Sequence, residues 1–469
     1  MRQWFGIPLF LAVLSLGCAS ADGISTEEEL KDTATRALVS GAAELQGVAG
    51  QGSAQAVTRE PLFGDVAHYR FKLQVGPDTH DVVTVHRVVK ERAPWVPARA
   101  NRAVFMVHGD AWGFDAAFLS SVGSAFVPQD QSIAAYFAKE GVDVWGIDLR
   151  WVGVPAQTSF FEFMAQWNLG SHAQDVGTGL LLARALRLAS GNLGGSMQLM
   201  AWSRGVVVAL AYLNSEARLP RLLRQVDGFI PMDMAVRFSP AHAQQQQWAC
   251  ERYTALKLKR DAGAFEGGVL GPAPGVGLQL IGALAATAPQ QPSPIFAEDI
   301  FGPGTGHPSN RKAAVIAAAA TSVLFAPLPP LTPGYHHASG QLDATGLPDT
   351  LTHTTEGYLF EFAQRAVPYQ SLNEVLESEE WACGATDVPF DDRLASVKVP
   401  VLYVGAGGGV GEYGLHSLSL LGSTDTTTLV VRDRPEAQRA LDFGHADLFL
   451  ANDARQRVWQ PVLQWVRAH

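Results

Sequence analysis

The feature that most restricts the fold of this chain is an alternation of continuous apolar runs with helical patterns. The apolar runs cover residues 102–110, 142–150, 195–203 and 226–233. Such runs are typical of strands that are buried on both faces, as they are in a parallel sheet. The helical patterns between them cover residues 132–141, 175–191 and 206–219. The alternation therefore predicts an α/β fold in which right-handed crossovers connect parallel strands.

Further strands flank this series at both ends. Residues 68–76 and 81–91 alternate between polar and apolar side chains, which predicts two half-buried strands that pair as a hairpin. The patterns at 397–408 and 425–433 also predict strands, and a helical pattern closes the chain at 457–469. We therefore expect a mostly parallel central sheet with helices on both faces.

The alternation is lost between residues 236 and 395. This segment contains a run of four glutamines, stretches rich in Gly and Pro, and an alanine-rich helical pattern at 311–326. We expect residues 236–395, called the insertion below, to form a mostly helical cap. The α/β core expected around it would then consist of residues 61–235 and 396–469.

The N-terminus is predicted to be a secretory signal at residues 1–21. Arg2 precedes an apolar run that ends near Leu16 and is too short to span a bilayer. The sequence ASA at residues 19–21 suggests cleavage to a soluble protein, whereas the preceding LSLGC resembles a bacterial lipobox that would leave Cys18 lipidated. Both alternatives stay open. Residues 22–60 are polar and Ala-rich, which predicts a helical peripheral segment.

Charge and cysteine usage restrict the partners and the compartment. The formal net charge of −10 disfavours nucleic acid and an anionic membrane surface as partners. In an oxidising compartment the two cysteines beyond the signal, Cys250 and Cys383, are expected to pair, which would clip the two ends of the insertion together. Two buried free thiols are the alternative.

The sequence AWSRG at residues 201–205 joins an apolar run to a helical pattern. A serine between small residues at a strand-to-helix turn is typical of a nucleophile elbow, usually written G-x-S-x-G. Here Ala201 replaces the first glycine, and alanine has no bulk beyond Cβ. The pattern indicates Ser203 as a nucleophile, with an ordinary turn as the alternative.

Four motifs in order resemble the α/β-hydrolase superfamily. They are HGDAWG at 108–113, GIDLR at 146–150, AWSRG at 201–205 and FGHAD at 443–447. The resemblance implies that His445 is the base that activates Ser203. It also implies that the backbone N–H groups of Asp110 and Arg204 form an oxyanion hole. His108 would then have a structural role in the loop beneath that hole.

The acid that should orient the histidine is less clearly marked. Most members of the superfamily carry it after the strand that corresponds to VPVLYV, where this sequence has Gly409 instead. A minority carry it one strand earlier, and there Asp233 ends an apolar run. Asp233 is therefore the expected acid, and Glu412 is the alternative. The chain order of Ser, acid and His holds in both cases.

These residue types predict an exported serine hydrolase that cleaves carboxylic esters, with a small-molecule ester as its partner. Trp112 and Trp202 flank the expected site and favour apolar or aromatic substrates, although both rings can equally pack in the core. An inactive binding protein of the same fold, or an acyltransferase, lactonase or amidase, are the alternatives. No cofactor is implied. No metal-ligand spacing is evident, because the adjacent His336 and His337 should point apart.

Overall fold

The computed structural model of the protein describes residues 53–192, 197–325 and 327–469. The predicted signal, Cys18 and most of the predicted peripheral segment lie outside these residues. Within the described ranges, no helix is both long enough and apolar enough to cross a membrane.

One mixed sheet organises the chain, in the order β1-β2-β3-β6-β5-β7-β8-β11-β12, with β4 paired to β3. Its strands are β1 Ser53–Phe63, β2 Val66–Gln74, β3 Val82–Ala93, β4 Val96–Pro97, β5 Ala103–Val107, β6 Asp143–Asp148, β7 Met197–Trp202, β8 Gly228–Met232, β11 Val401–Ala406 and β12 Thr426–Val431. Strands β1, β2, β3 and β6 pair antiparallel in that order. Along the rest of this sheet, from β6 through β5, β7, β8 and β11 to β12, every pair is parallel. The predicted α/β class and the predicted hairpin are confirmed.

The central strands are buried on both faces, as their apolar runs predict. Every residue of β5, β7 and β8 is buried. Val104 and Met106 of β5 belong to one hydrophobic cluster, while Phe105 and Val107 belong to another. Because successive side chains of a strand point to opposite faces, two apolar layers cover the sheet.

Helices supply the rest of both layers. The core helices are α1 Phe114–Phe118, α2 Ile133–Lys139, α3 Leu169–Ala189, α4 Gly205–Glu216, α11 Asp447–Leu450 and α12 Gln460–Ala468. Residues of α2 and α12 pack in the cluster that contains Met106, whereas residues of α3 and α4 pack in the cluster that contains Phe105. The sheet therefore lies between two layers of helices.

The insertion lies between β8 and β11 and adds no strand to the central sheet among the residues described. It contains α5 Ala243–Asp261, α6 Pro274–Thr287, α7 Asn310–Ala319, α8 Ser322–Phe325, α9 Glu356–Gln364 and α10 Leu372–Ala382, with a small two-stranded sheet of β9 Gly340–Leu342 and β10 Pro348–Leu351. The predicted disulfide is present: Cys250 of α5 is bonded to Cys383 at the end of α10. It joins the first and last long helices of the insertion.

The prediction of a helical segment over 22–60 is wrong where the structure describes it. Residues 53–60 belong to β1, which pairs antiparallel with β2 over nearly its whole length. Val57 and Arg59 are half-buried, while Thr58 and Glu60 are exposed. This alternation has the two-residue period of an edge strand, and tertiary pairing overrides the helical propensity suggested by composition.

Candidate active site

Ser203 lies in a sharp turn directly between β7 and α4. Its backbone has φ of +54°, a left-handed conformation that is uncommon for a residue with a side chain. Its N–H donates to the Met232 carbonyl over 2.9 Å. A Cβ at Gly205 would lie 2.4 Å from the His108 carbonyl oxygen, so glycine is required where the helix crosses the neighbouring loop. The turn therefore has the close packing and backbone strain expected of a nucleophile elbow.

His445 and Asp233 form a buried hydrogen bond. The His445 Nδ1 atom lies 2.7 Å from Asp233 Oδ2, and both side chains are almost completely inaccessible to solvent. Asp233 directly follows β8 and also has a left-handed backbone, with φ of +53°. Its carboxylate accepts backbone N–H groups from Ala406, Val410 and Gly411 over 2.8–3.1 Å. These donors satisfy a buried charge that would otherwise be costly.

The alternative acid, Glu412, lies elsewhere. Its side chain is 41% exposed and forms an ion pair with Arg432. No contact between Glu412 and His445 occurs in the described part of the chain. The loop after β11 instead approaches Asp233 so closely that a Cβ at Gly409 would lie 2.0 Å from Asp233 Oδ2. The glycines of this loop leave room for a carboxylate that arrives from the neighbouring strand.

The loop that carries His445 is fixed from two sides. The imidazole stacks on the Trp202 indole, with ring centres 4.9 Å apart. The backbone N–H of His445 donates to the His336 carbonyl over 2.9 Å. The buried Asp447 carboxylate accepts the backbone N–H groups of Gly444 and Ser339 over 2.8 and 2.7 Å. The imidazole is thus held in one orientation by packing and by hydrogen bonds to the insertion.

Asp110 and Arg204, the expected oxyanion-hole residues, are joined through their side chains. The Arg204 Nε atom donates to both carboxylate oxygens of Asp110 over 2.8 and 2.9 Å. Burial raises the pKa of the Asp110 carboxyl, although the Arg204 charge opposes this effect. Because the carboxylate faces a guanidinium, it does not have to face a developing oxyanion. Within the described residues, neither backbone N–H donates a hydrogen bond to another group.

The loop that carries Asp110 approaches Ser203 closely. A Cβ at Gly109 would lie 2.5 Å from the Ser203 Cβ, so only glycine permits this approach. The neighbouring His108 is fully buried, and its Nε2 atom accepts the Leu149 N–H over 3.1 Å. Burial lowers the pKa of His108, which keeps the ring neutral. His108 braces the loop from below, which agrees with the structural role implied by the resemblance.

A cavity opens beside Ser203 and His445. It is lined by Asp110, Trp112, Trp202, Ser203, Arg204, Met234, Val269, Leu270, Phe325, Leu331, Tyr335, His337 and His445. Core residues therefore form one side of the cavity, and residues of the insertion form the other. Trp112 and Trp202 both border the cavity and both pack in the core. Their contact with a substrate stays a prediction.

Sequence reasoning missed Tyr335 and His337 as residues of this cavity. Their rings lie 5.3 and 5.9 Å from the ring of His445. Burial, together with the neighbouring His445, lowers the pKa of His337 to about 3, so this ring is neutral at ordinary pH. The adjacent His336 points away and contacts the carbonyl oxygens of Gly334 and Asp442. The only signal in the sequence was the paired histidines.

A second chamber adjoins this cavity. It shares Trp112 and His337 with the first cavity, and its other lining residues are Leu278, Ile281, Ala314, Ala317, Ala318, Leu359, Phe360, Phe362 and Ala363. The Trp112 ring stacks on Phe362 and donates its N–H to the Phe362 carbonyl, which fixes it between the two spaces. The chamber is almost entirely apolar and lies within reach of the cavity that contains Ser203.

No protein-family model and no curated protein matches this chain. Solved structures do resemble it. A candidate lipase from Sulfolobus solfataricus is 18% identical, and the match covers 89% of this chain and 99% of the other with a TM-score of 0.57. A soluble variant of monoglyceride lipase from Saccharomyces cerevisiae is 10% identical over 89% of this chain and 96% of its own, with a TM-score of 0.40. An α/β-hydrolase fold protein from Nakamurella multipartita is 13% identical over 83% and 97%, with a TM-score of 0.35.

Together with the strand order, the match to the Sulfolobus structure shows that this chain has the α/β-hydrolase fold, as its four motifs predict. Likeness at this level of identity shows the fold alone, because one fold supports many activities. The function of this chain therefore depends on the chemistry of its site.

Proposed function

We propose that this chain of α/β-hydrolase fold is a serine hydrolase that cleaves carboxylic esters through Ser203, His445 and Asp233. The observation that carries the proposal is the buried hydrogen bond of 2.7 Å between His445 and Asp233. His445 borders the same cavity as Ser203, whose backbone is strained, and Asp233 lies behind His445. A carboxylate bonded to Nδ1 fixes the imidazole tautomer that leaves Nε2 free to accept a proton. A binding protein would gain nothing from burying this pair.

The reaction would proceed in two steps. Ser203 Oγ attacks the ester carbonyl carbon while His445 Nε2 takes the hydroxyl proton, and Asp233 stabilises the imidazolium that forms. The backbone N–H groups of Asp110 and Arg204 would bind the oxyanion. The bond to the alcohol then breaks as His445 returns the proton to the leaving oxygen. Water, activated by the same histidine, releases the acid from the acyl-enzyme and restores Ser203.

The substrate class follows from the walls of the two spaces. The chamber beyond Trp112 and His337 is lined by aliphatic and aromatic side chains, which supports esters that carry a hydrocarbon group. Each buried methylene contributes about 0.8 kcal/mol, which is roughly fourfold in kcat/KM. We expect kcat/KM for p-nitrophenyl esters to rise with acyl length until the chamber is full. Ala314→Phe should shorten the preferred chain while leaving hydrolysis of the acetate unchanged.

Export to an oxidising compartment is part of the proposal. The disulfide between Cys250 and Cys383 supports it, because such bonds persist outside reducing compartments. The apolar run that follows Arg2 supports it independently. The mass of the mature protein would distinguish a soluble form that begins near Asp22 from a form tethered to a membrane through lipidated Cys18.

A fluorophosphonate probe tests the proposed nucleophile directly. The purified mature protein and a Ser203→Ala variant would be treated with the probe, and their intact masses read. One adduct on the wild type and none on the variant would support the proposal. A folded wild type that shows no adduct and hydrolyses no ester in the series above would favour the inactive binding protein. Adding a short alcohol to the ester assay would separate hydrolysis from acyl transfer, since a transferase forms the new ester.

A further inference from the structure

A cluster of His68, His86 and Asp115 lies outside the proposed catalytic site. His68 is on β2 and His86 on β3, and Asp115 is in the first turn of α1. The antiparallel register pairs Arg70 with His86, so the two histidines are diagonal neighbours on adjacent strands. Both imidazoles are buried, while the Asp115 side chain is 46% exposed. The cluster therefore lies at the edge of the core with an opening to solvent.

Three ligand atoms in this cluster face one another. His68 Nε2 lies 2.9 Å from His86 Nδ1, and Asp115 Oδ1 lies 3.7 and 3.6 Å from these two nitrogens. The point equidistant from three atoms with these separations lies about 2.0 Å from each, which is the length of zinc–nitrogen and zinc–carboxylate bonds. An ion held slightly out of that plane would keep a fourth position for water.

A hydrogen bond between the two imidazoles does not account for the third atom. Asp115 Oδ1 is buried and has no hydrogen-bond partner among the described residues. Its distances of 3.6 and 3.7 Å from the imidazole nitrogens are too long for hydrogen bonds. An unsatisfied carboxylate oxygen at a buried position is costly. A cation between the three atoms would remove this cost.

The surroundings also suit a divalent cation. His86 Nε2 lies 2.9 Å from Asp148 Oδ2, so a carboxylate lies beside the second ring nitrogen of this histidine, as is common next to metal-ligating histidines. Arg70 binds the other oxygen of Asp115 and also pairs with Glu60. Three carboxylates (Glu60, Asp115 and Asp148) against one guanidinium leave a local charge of about −2 when both imidazoles are neutral.

We propose that His68, His86 and Asp115 bind one Zn²⁺ ion, with water as the fourth ligand. The ion would tie the β2–β3 hairpin to α1, which directly follows the loop that contains Asp110. Asp148 links the site to the same helix, because its Oδ1 accepts the Phe114 N–H over 2.7 Å. The site would thus be a structural brace for the loop beside Ser203. It does not depend on the proposed hydrolase activity.

Metal content tests this proposal without any activity assay. The full mature protein would be stripped with a chelator, reloaded with Zn²⁺, desalted and analysed for zinc per chain by mass spectrometry. We expect one equivalent in the wild type and a loss of at least ~100-fold in affinity for Asp115→Asn. The matched control is His80→Gln, which removes an exposed histidine that pairs with Asp78 in the same hairpin.

Co²⁺ provides a second readout of the same site. Tetrahedral coordination by two nitrogens, the carboxylate oxygen and water gives visible absorption bands. These bands should appear with one equivalent in the wild type and in His80→Gln, and be absent from Asp115→Asn. Folding of each variant would be checked by circular dichroism. A folded wild type that binds less than ~0.2 equivalents of zinc would overturn the proposal, because the measured stoichiometry must be near one. Unchanged zinc affinity in a folded Asp115→Asn would overturn it as well.

Discussion

Replacing Asp233 by asparagine gives the sharpest test of the proposed catalytic machinery. The change keeps the size of the side chain but removes its charge. The Asp233 Oδ1 atom accepts the N–H groups of Ala406 and Gly411, each over 2.8 Å, and lies 3.1 Å from that of Val410. The amide oxygen of the asparagine must therefore stay on this side, since an NH₂ group here would face backbone donors. The NH₂ group is left to face His445 Nδ1.

The size of the effect follows from this forced orientation. An NH₂ donor opposite Nδ1 requires the proton of His445 to move to Nε2, so the ring can no longer accept the proton of Ser203. We expect kcat to fall by ~10⁴, the magnitude known for the wrong tautomer in Ser-His-Asp enzymes. This corresponds to about 5.5 kcal/mol of lost transition-state stabilisation. The fold should lose only about 1–3 kcal/mol, because most backbone N–H donors keep an acceptor.

The assay compares Asp233→Asn with Glu412→Gln in hydrolysis of a p-nitrophenyl ester, with thermal unfolding as the check on folding. Glu412 is the matched control, because its carboxylate pairs with Arg432 at the surface. We expect the control to retain activity within about twofold, because an exposed ion pair contributes little to stability and this one lies away from His445. Asp233 is not the acid if the folded Asp233→Asn variant keeps more than a tenth of the wild-type kcat, or if Glu412→Gln abolishes activity.

Three further predictions concern stability. Cys250→Ser should lower the free energy of unfolding by about 2–5 kcal/mol, because the disulfide to Cys383 spans 133 residues; denaturation with and without reductant measures this. Because the pKa of His337 is lowered to about 3 in the folded protein, the unfolded chain binds its proton more readily, and the free energy of unfolding should fall as pH drops from about 6.5 toward 3. The loss is at most ~1.4 kcal/mol per pH unit. Melting curves across pH should show a smaller loss in His337→Gln. Asp110→Asn removes a buried partner of Arg204 and should cost about 3 kcal/mol in urea unfolding together with a lower kcat; an unchanged midpoint would contradict the role of this ion pair.

Much of the fold could be predicted because burial leaves a local record in the sequence. The continuous apolar runs identified β5 to β8, since a strand covered on both faces needs apolar residues at every position. The sequence pattern predicted a helix in place of the edge strand β1, because this strand is largely solvated and its polar residues resemble those of a surface helix. An edge strand is defined by its partner, and residues 66–74 supply that partner only in the folded chain.

The site divides in the same way. The elbow residues at 201–205 and the loop around His445 are local motifs, because sharp turns require particular residues within a few positions. The sequence left the choice between Asp233 and Glu412 open, because it does not show which carboxylate reaches the His445 imidazole. Asp233 lies more than 200 residues from His445 along the chain, and Glu412 lies about 30 residues from it. Parallel pairing of β8 with β11 makes that choice, because it aligns Met232 with Val404 and brings the loop after β11 around Asp233.

The sequence by itself therefore determined the alternation of strands and helices in the core and the position of the elbow, and it marked Cys250 and Cys383 as the expected pair. The tertiary structure alone decided which insertion residues face Ser203, as Tyr335 and His337 do. It also brought His68 and His86 together with Asp115. The physical reason is the separation along the chain of the residues that interact. Burial and turn geometry restrict residues that are close in the sequence. A cavity or a ligand cluster is formed by residues that are distant in the sequence and meet only through strand register and helix packing.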